Sequence, residues 1–380
     1  MHIGRGRKGL WLGLSGFLVV VGVLLIALPF VSQAKSADAG SSAQHTVATS
    51  GTTTQSAIRV GQATTAQAAI ETTVASAISA RRASTPSPAT AATVAVAAVP
   101  ISAPVATTQS VVPPTGPSLE AYRGLGSWVD IYDTKAWKNP SAAVADMAGH
   151  GVRTLYIETA NSRSSFALKN PPVLATFIRE AHARGMLVVA WYLPDMTHTS
   201  IDYARIVQAV GFQTSDGQKF DSFALDIESG AIKSESARNR ALGALSSRIR
   251  GLVGAKYPLG AIIPSPTGLA KKLGYWDAFP YTMLAQTYDV FVPMSYYTYH
   301  GKGGSAAYAD TLSNVRILRA QKGCSATPIH LIGGIAENSW PSEVGAFVRA
   351  AVGARCVGAS LYGWSGTTSG DWQELKAIKP

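Results

Sequence analysis

From about residue 118 to the end, the chain repeats one pattern: a short apolar run, then a longer stretch of helical character. No other feature narrows the fold as far. Residues 126–133, 153–158, 186–193, 220–228, 259–264, 289–296, 328–335 and 357–364 each read as a strand. Residues 140–149, 171–184, 200–210, 234–256, 306–321 and 341–352 read as helices between them, with Gly149 and Gly185 as stops and an irregular segment around Trp276 and Tyr281. Strict strand–helix alternation produces a parallel sheet, and eight repeats within one domain's length match a (β/α)8 TIM barrel. An open doubly wound sheet would need a glycine-rich phosphate loop after an early strand. Here Gly124-Leu125-Gly126 comes before its strand.

The fourth run carries the chemistry. In Phe220-Asp221-Ser222-Phe223-Ala224-Leu225-Asp226-Ile227-Glu228, alternation puts Phe223, Leu225 and Ile227 on one face and Ser222, Ala224, Asp226 and Glu228 on the other. In a barrel the first face meets the helices. The second points inward and delivers two carboxylates to the carboxyl end, where such barrels hold their active sites. The same end collects Asp130 from strand one, Glu158 from strand two, Trp191 from strand three, Tyr296 and Tyr297 from strand six, Glu337 after strand seven and Trp364 from strand eight. Carboxylates serve acid–base work, and flat rings suit the apolar faces of sugars. Two carboxylates flanking a glycosidic bond cleave it without a cofactor, and no residue cluster has the spacing of a metal site. The residues therefore point to a glycoside hydrolase with no cofactor and no metal. Asp221, which begins its strand, reads as structural.

Asp221 through Glu228 resembles the D-G-x-D-x-D-x-E motif on strand four of chitinase-type (family 18) glycoside hydrolases. Met294-Ser295-Tyr296-Tyr297 is similar to their M-x-Y-D motif, and Trp364 matches the tryptophan that floors their sugar site. The three motifs fall in the family's order across 118–380. The resemblance implies a barrel in which Glu228 protonates the leaving oxygen, Asp226 assists as the second carboxylate by orienting the substrate's acetamido group, and Tyr296 holds that group. Asp130, Glu158, Trp191, Tyr297, Glu337 and Trp364 are expected to bind substrate. The chain diverges from the family at two points: Ala224 stands where the motif has its middle aspartate, and Tyr297 where M-x-Y-D ends in aspartate. These losses keep open a second reading, a catalytically inactive barrel that binds carbohydrate at the cell surface.

The amino-terminal third sets an address. Arg5, Arg7 and Lys8 precede an apolar run at about 10–30, and small residues at Ser32 and Ala34 suit cleavage. Residues 1–34 are thus expected to be a cleaved signal peptide or an uncleaved signal-anchor, a transmembrane segment that would tie the protein to the membrane. Either way the body is placed outside, secreted or at the cell surface. Residues 35–117, rich in Ala, Thr, Ser, Val and Pro, are expected to form a disordered linker. The net charge of +11 does not indicate nucleic-acid binding. Residues 1–117 hold 7 basic and 2 acidic residues, so 5 of the 11 units lie there, and the other charges form no stripe. With export expected, Cys324 and Cys356, each placed just before a strand, are expected to form one disulfide.

Overall fold

Eight parallel strands close on themselves in the order β1 to β8. The computed structural model describes residues 116–379. The strands are β1 (Gly124–Val129), β2 (Thr154–Asn161), β3 (Leu187–Leu193), β4 (Ser222–Asp226), β5 (Leu259–Pro264), β6 (Val290–Met294), β7 (His330–Ile335) and β8 (Gly358–Tyr362). The helices are α1 (Thr134–Lys138), α2 (Pro140–Gly149), α3 (Pro171–His182), α4 (Thr199–Gly211), α5 (Glu235–Val253), α6 (Pro266–Ala270), α7 (Tyr281–Thr287), α8 (Gly304–Arg319), α9 (Pro341–Gly353) and α10 (Ser369–Leu375). The expected (β/α)8 barrel is the fold. The expected leader and linker, apart from Gly116 and Pro117, lie outside the described residues. Among the described residues no helix is long and apolar enough to cross a membrane.

Local chemistry sets the element ends. Asn139 accepts a hydrogen bond from Ala142 N at the start of α2, where Pro140 holds the first helical position. Ser234 caps α5 through Ala237 N, and Thr368 forms a reciprocal capping box with Asp371 on α10. Helix α3 buries Leu174, Phe177, Ile178 and Ala181, the one-sided stripe of a helix lying on a sheet. Strand β1 is shorter than its sequence suggests. The Asp130 carboxylate accepts the N–H groups of Tyr132 (2.7 Å) and Asp133 (2.9 Å), turning the chain out of the sheet, and Asp133 then caps α1. Strand β8 likewise ends early, and α10 is a helix that apolar periodicity did not mark.

Alternation sorts the strand side chains into two groups. Phe223, Leu225 and Ile227 join the large outer core beneath the helices, while Ala224 joins an inner group with Trp128, Tyr156, Val189, Trp191, Ile262 and Val292. The amino end of the barrel is plugged by Tyr122. Its hydroxyl meets Ser222 Oγ at 2.6 Å and donates to the Phe223 carbonyl at 3.2 Å. Glycine is required opposite the plug, since a Cβ at Gly260 would lie 2.6 Å from the Tyr122 hydroxyl. At the same end, Asp221 accepts from Val188 N (2.7 Å) and lies 2.9 Å from His182 Nε2, which makes it the structural residue expected.

The cysteines depart from expectation. Both thiols are free. Cys324 sits in the turn well before β7 rather than at the strand start, with its Sγ directed at the carbonyl of Tyr281. Cys356 stands just ahead of β8, where burial pushes its thiol up to about 12. Adjacent strands do not bring the two together because only one of them is at a strand.

Candidate active site

The inward face of β4 delivers its acids to the carboxyl end. Asp226 is the last residue of β4, 6 % exposed, and Glu228 follows half-buried on the same face. Asp226 Oδ1 is enclosed with no hydrogen-bond partner, and neither acid has a basic partner among the described residues. A buried carboxyl without a countercharge holds its proton. Burial pushes Asp226 well above the carboxylate range, and the charges of Glu228 and Glu158 add to the effect. Burial also raises Glu228. The pair therefore holds a proton more tightly than free carboxylates do.

Glu158 completes a three-carboxyl group. It is 2 % exposed, next to a register shift between β2 and β3. Ile131 N donates to its Oε2 (2.9 Å) and Asn161 Nδ2 to its Oε1 (3.0 Å). Burial outweighs these bonds and raises it to about 8, with the nearby Asp130 adding to the shift. Asp130 is half-buried, and its Oδ2 accepts a hydrogen bond from the Tyr362 hydroxyl at 2.8 Å.

Aromatic rings wall this group. Tyr296 stands just beyond β6 with φ +28°, a left-handed conformation that a bulky residue adopts only under constraint from its surroundings. Burial raises its phenol, followed by the charges of Glu228 and Asp226. Tyr362 packs at 6.3 Å from Tyr296. Trp191 is buried, meets Trp128 edge-on at 5.9 Å, and leaves its indole Nε1 without a partner. Tyr275, from the connection after β5, donates its hydroxyl to the Glu228 backbone carbonyl. No cluster of three or more His, Cys, Asp or Glu able to hold a metal occurs among the described residues.

Of the residues nominated from the sequence, Asp226, Glu228, Tyr296, Asp130, Glu158 and Trp191 converge here. Three lie elsewhere. Tyr297 faces outward, its hydroxyl donating to Ser339 Oγ (3.0 Å) and its ring 5.8 Å from Phe347 of α9. Alternation from inward Met294 and Tyr296 makes Tyr297 the outward neighbour, although its strand-end position and its place in the M-x-Y-D motif both suggest the site. Trp364 would be inward if β8 continued, but the chain leaves the sheet after Tyr362 and enters a 3-10 turn. Its indole then donates to Asp146 of α2 at 2.8 Å, with the Lys135 ammonium 4.7 Å over the ring. Glu337 is exposed on the 3-10 turn 336–338, against Gly366. Tyr362, Tyr275 and Asn161 were not nominated. The inward parity of Gly358, Ser360 and Tyr362 marks Tyr362, whereas Tyr275 sits in a connection with no periodic signal.

No family model matches the sequence, and no curated protein is similar to it. Solved structures are similar to it. The endo-β-1,4-mannanase of Thermotoga petrophila aligns with a TM-score of 0.51 at 11 % identity, over 64 % of this chain and 68 % of that one. The spore cortex-lytic enzyme SleL of Bacillus cereus gives 0.51 at 10 % identity, over 69 % and 76 %. A chitinase of Chromobacterium violaceum gives 0.49 at 12 %, over 67 % and 98 %. What the similarity shows is the fold. The site's chemistry rests on its own residues.

Proposed function

We propose that this chain is an exported glycoside hydrolase that cleaves a cell-wall or extracellular polysaccharide, with Glu228 as general acid and Asp226 as assisting carboxylate. The observation that carries the reading is Asp226, a buried carboxyl with no protein partner, beside Glu228 at the carboxyl mouth. Burying an unpaired carboxyl weakens a fold, so its presence where barrels do chemistry argues for a role in the reaction. Repulsion and desolvation leave a proton on the pair, and Glu228, the more open of the two, is positioned to give it to a glycosidic oxygen. As the bond breaks, positive charge develops on the sugar, and Asp226 stabilises it once the proton has moved. Tyr296, in the field of both acids, holds a polar substituent of the bound sugar ring. Asp130 and Glu158, from the ends of β1 and β2, bind sugar hydroxyls. The names of the two better-aligned neighbours, a mannanase and a cortex-lytic enzyme, agree with polysaccharide as the substrate class. Export rests on the basic-then-apolar start and the linker composition.

Incubation with mannan, chitin and peptidoglycan should release reducing ends from at least one of them, and Glu228→Gln should abolish the release. Undiminished release by that variant removes Glu228 from its role. The inactive carbohydrate-binding reading draws on Ala224, which leaves Asp226 without an acid beneath it on the inner face. Glycan binding that survives Glu228→Gln, with no turnover by the wild type, favours it.

A further inference from the structure

The apolar side chains that the fold leaves exposed are not spread evenly. Among the described residues every exposed large apolar side chain except Val352 lies directly after a strand, in the first two turns of the helix that follows, or, for Leu273 and Tyr275, in the segment between α6 and α7 that reaches the Glu228 backbone. That is the carboxyl rim. Five of them are aromatic: Tyr132, Tyr275, Tyr299, Tyr308 and Trp340. Single exposed hydrophobics are ordinary, but their collection around one mouth marks a surface that meets a ligand.

Three of these rings contact residues of the site. The Tyr132 hydroxyl accepts from Asn161 Nδ2 (3.1 Å), and the same amide nitrogen donates to Glu158 (3.0 Å). The Tyr275 hydroxyl donates to the Glu228 carbonyl. Tyr299 meets Tyr296 edge-on at 5.9 Å. Tyr132 follows β1 and Tyr275 follows β5, strands on opposite sides of the closed barrel. The exposed rings therefore flank the acids from two opposed directions. A pocket for a chain end needs a wall on one of those sides.

The loop that carries Tyr275 is braced, and so is the Asn161 that contacts Tyr132. Arg238 of α5 donates to the Tyr275 carbonyl (2.8 Å), and Glu235 accepts from Asp277 N (3.0 Å) and Ala278 N (2.7 Å). Across the mouth, Arg205 of α4 donates to the Asn161 carbonyl at 2.8 Å. Rings held in place before binding add affinity with little ordering cost. A tyrosine ring offers an apolar face and a polar edge, matching the face of a pyranose and its hydroxyls.

We propose that Tyr132 and Tyr275 are sugar platforms on either side of the acids, so that the protein takes the interior of a long polysaccharide chain and cuts it endo-fashion. This rests on reading the mouth as a glycan-cleaving site. The full chain is tested with soluble mannan and glycol chitin, following viscosity together with reducing ends, beside a short aryl oligosaccharide of the same sugar. Viscosity should collapse while few reducing ends have appeared. The double variant Tyr132→Ala/Tyr275→Ala should lose about tenfold more in kcat/KM on the polymer than on the short substrate, mainly through KM, and the double Phe variant should retain the wild-type ratio. Equal losses on both substrates, or reducing ends without an early viscosity drop, overturn the proposal while leaving the hydrolase reading intact. If the wild type cleaves nothing, the hydrolase reading fails, and co-sedimentation with insoluble chitin, mannan and peptidoglycan decides the platforms. Binding weakened about tenfold by the double Ala variant upholds them as glycan platforms; unweakened or absent binding overturns them. Conversion of a dimer to a monomer by the double Ala variant in the ultracentrifuge also overturns the proposal, because the rim then serves a second copy.

Discussion

The two ends of the barrel treat buried polar groups in opposite ways. At the amino end they find partners: the Tyr122 hydroxyl meets Ser222, His330 bridges the Tyr122 carbonyl and Ser360, and Asp221 holds Val188 N and His182. Thr154 Oγ1 and the Tyr257 hydroxyl are exceptions there, and as neutral hydroxyls they are mild ones. At the carboxyl end Asp226 Oδ1 and Trp191 Nε1 are buried without partners, the charges of Glu228 and Glu158 act on Asp226, and Tyr296 adopts a left-handed conformation. A fold selected only for stability would not keep the second arrangement. One end holds the barrel closed, and the other gives up stability for groups that a substrate can satisfy.

The sharpest break of this contrast comes from replacing the plug. Tyr122→Ala empties a fully buried site and should cost about 3–5 kcal/mol in urea or thermal unfolding. The molecules that remain folded should keep their activity, because the ring lies at the end away from the acids. Asp226→Asn should behave inversely. It removes a carboxyl that the fold buries unpaired, so stability at pH 8 should rise by about 1 kcal/mol while glycan cleavage falls about 100-fold. A variant that lost both would make Asp226 a structural residue and erase the distinction between the ends.

Much of this contrast was legible in the sequence. The barrel followed from eight apolar runs alternating with helices, and strand parity alone identified Ala224, Asp226 and Glu228 as the inner face. Parity also marks Tyr362 as inward and Tyr297 as outward, yet strand-end position and the motif match both point Tyr297 to the site. Parity ends where the sheet ends, and this is why Trp364 was misplaced. The site's aromatic wall depends on connections such as the one carrying Tyr275, whose path is fixed by Arg238 and Glu235 contacts between distant segments. No local pattern encodes those contacts. The disulfide expectation failed for a related reason, since Cys324 belongs to a turn whose position relative to β7 is set by packing.

Glu158 sharpens the comparison through pH. Its acid is raised to about 8 in the folded state, so between the ordinary glutamate value near pH 4.3 and pH 8 the folded chain holds a proton that the unfolded chain has released. Stability is full below that window and falls as pH rises through it, with this residue's contribution on the order of 1.4 kcal/mol per pH unit. Glu158→Gln should flatten that slope in denaturation curves collected from pH 5 to 8. An identical slope in the variant assigns the dependence to other groups. The smallest effect belongs to Tyr297→Phe, which deletes one hydrogen bond to Ser339 in the outer layer. It should cost about 1 kcal/mol of stability and leave glycan affinity unchanged; weakened binding would return Tyr297 to the mouth.

The most direct test of the account is the pH dependence of kcat/KM on whichever polysaccharide the protein cleaves. Burial raises Glu228 and its neighbour Asp226, so the acid that protonates the leaving oxygen stays loaded beyond the ordinary carboxylate range. The account predicts an alkaline limb with its midpoint above the ordinary glutamate value near pH 4.3 that moves toward lower pH in Asp226→Asn, where the second carboxyl of the proton-sharing pair is gone. Activity that already falls through the ordinary carboxylate range, or a limb that Asp226→Asn leaves in place, would contradict it.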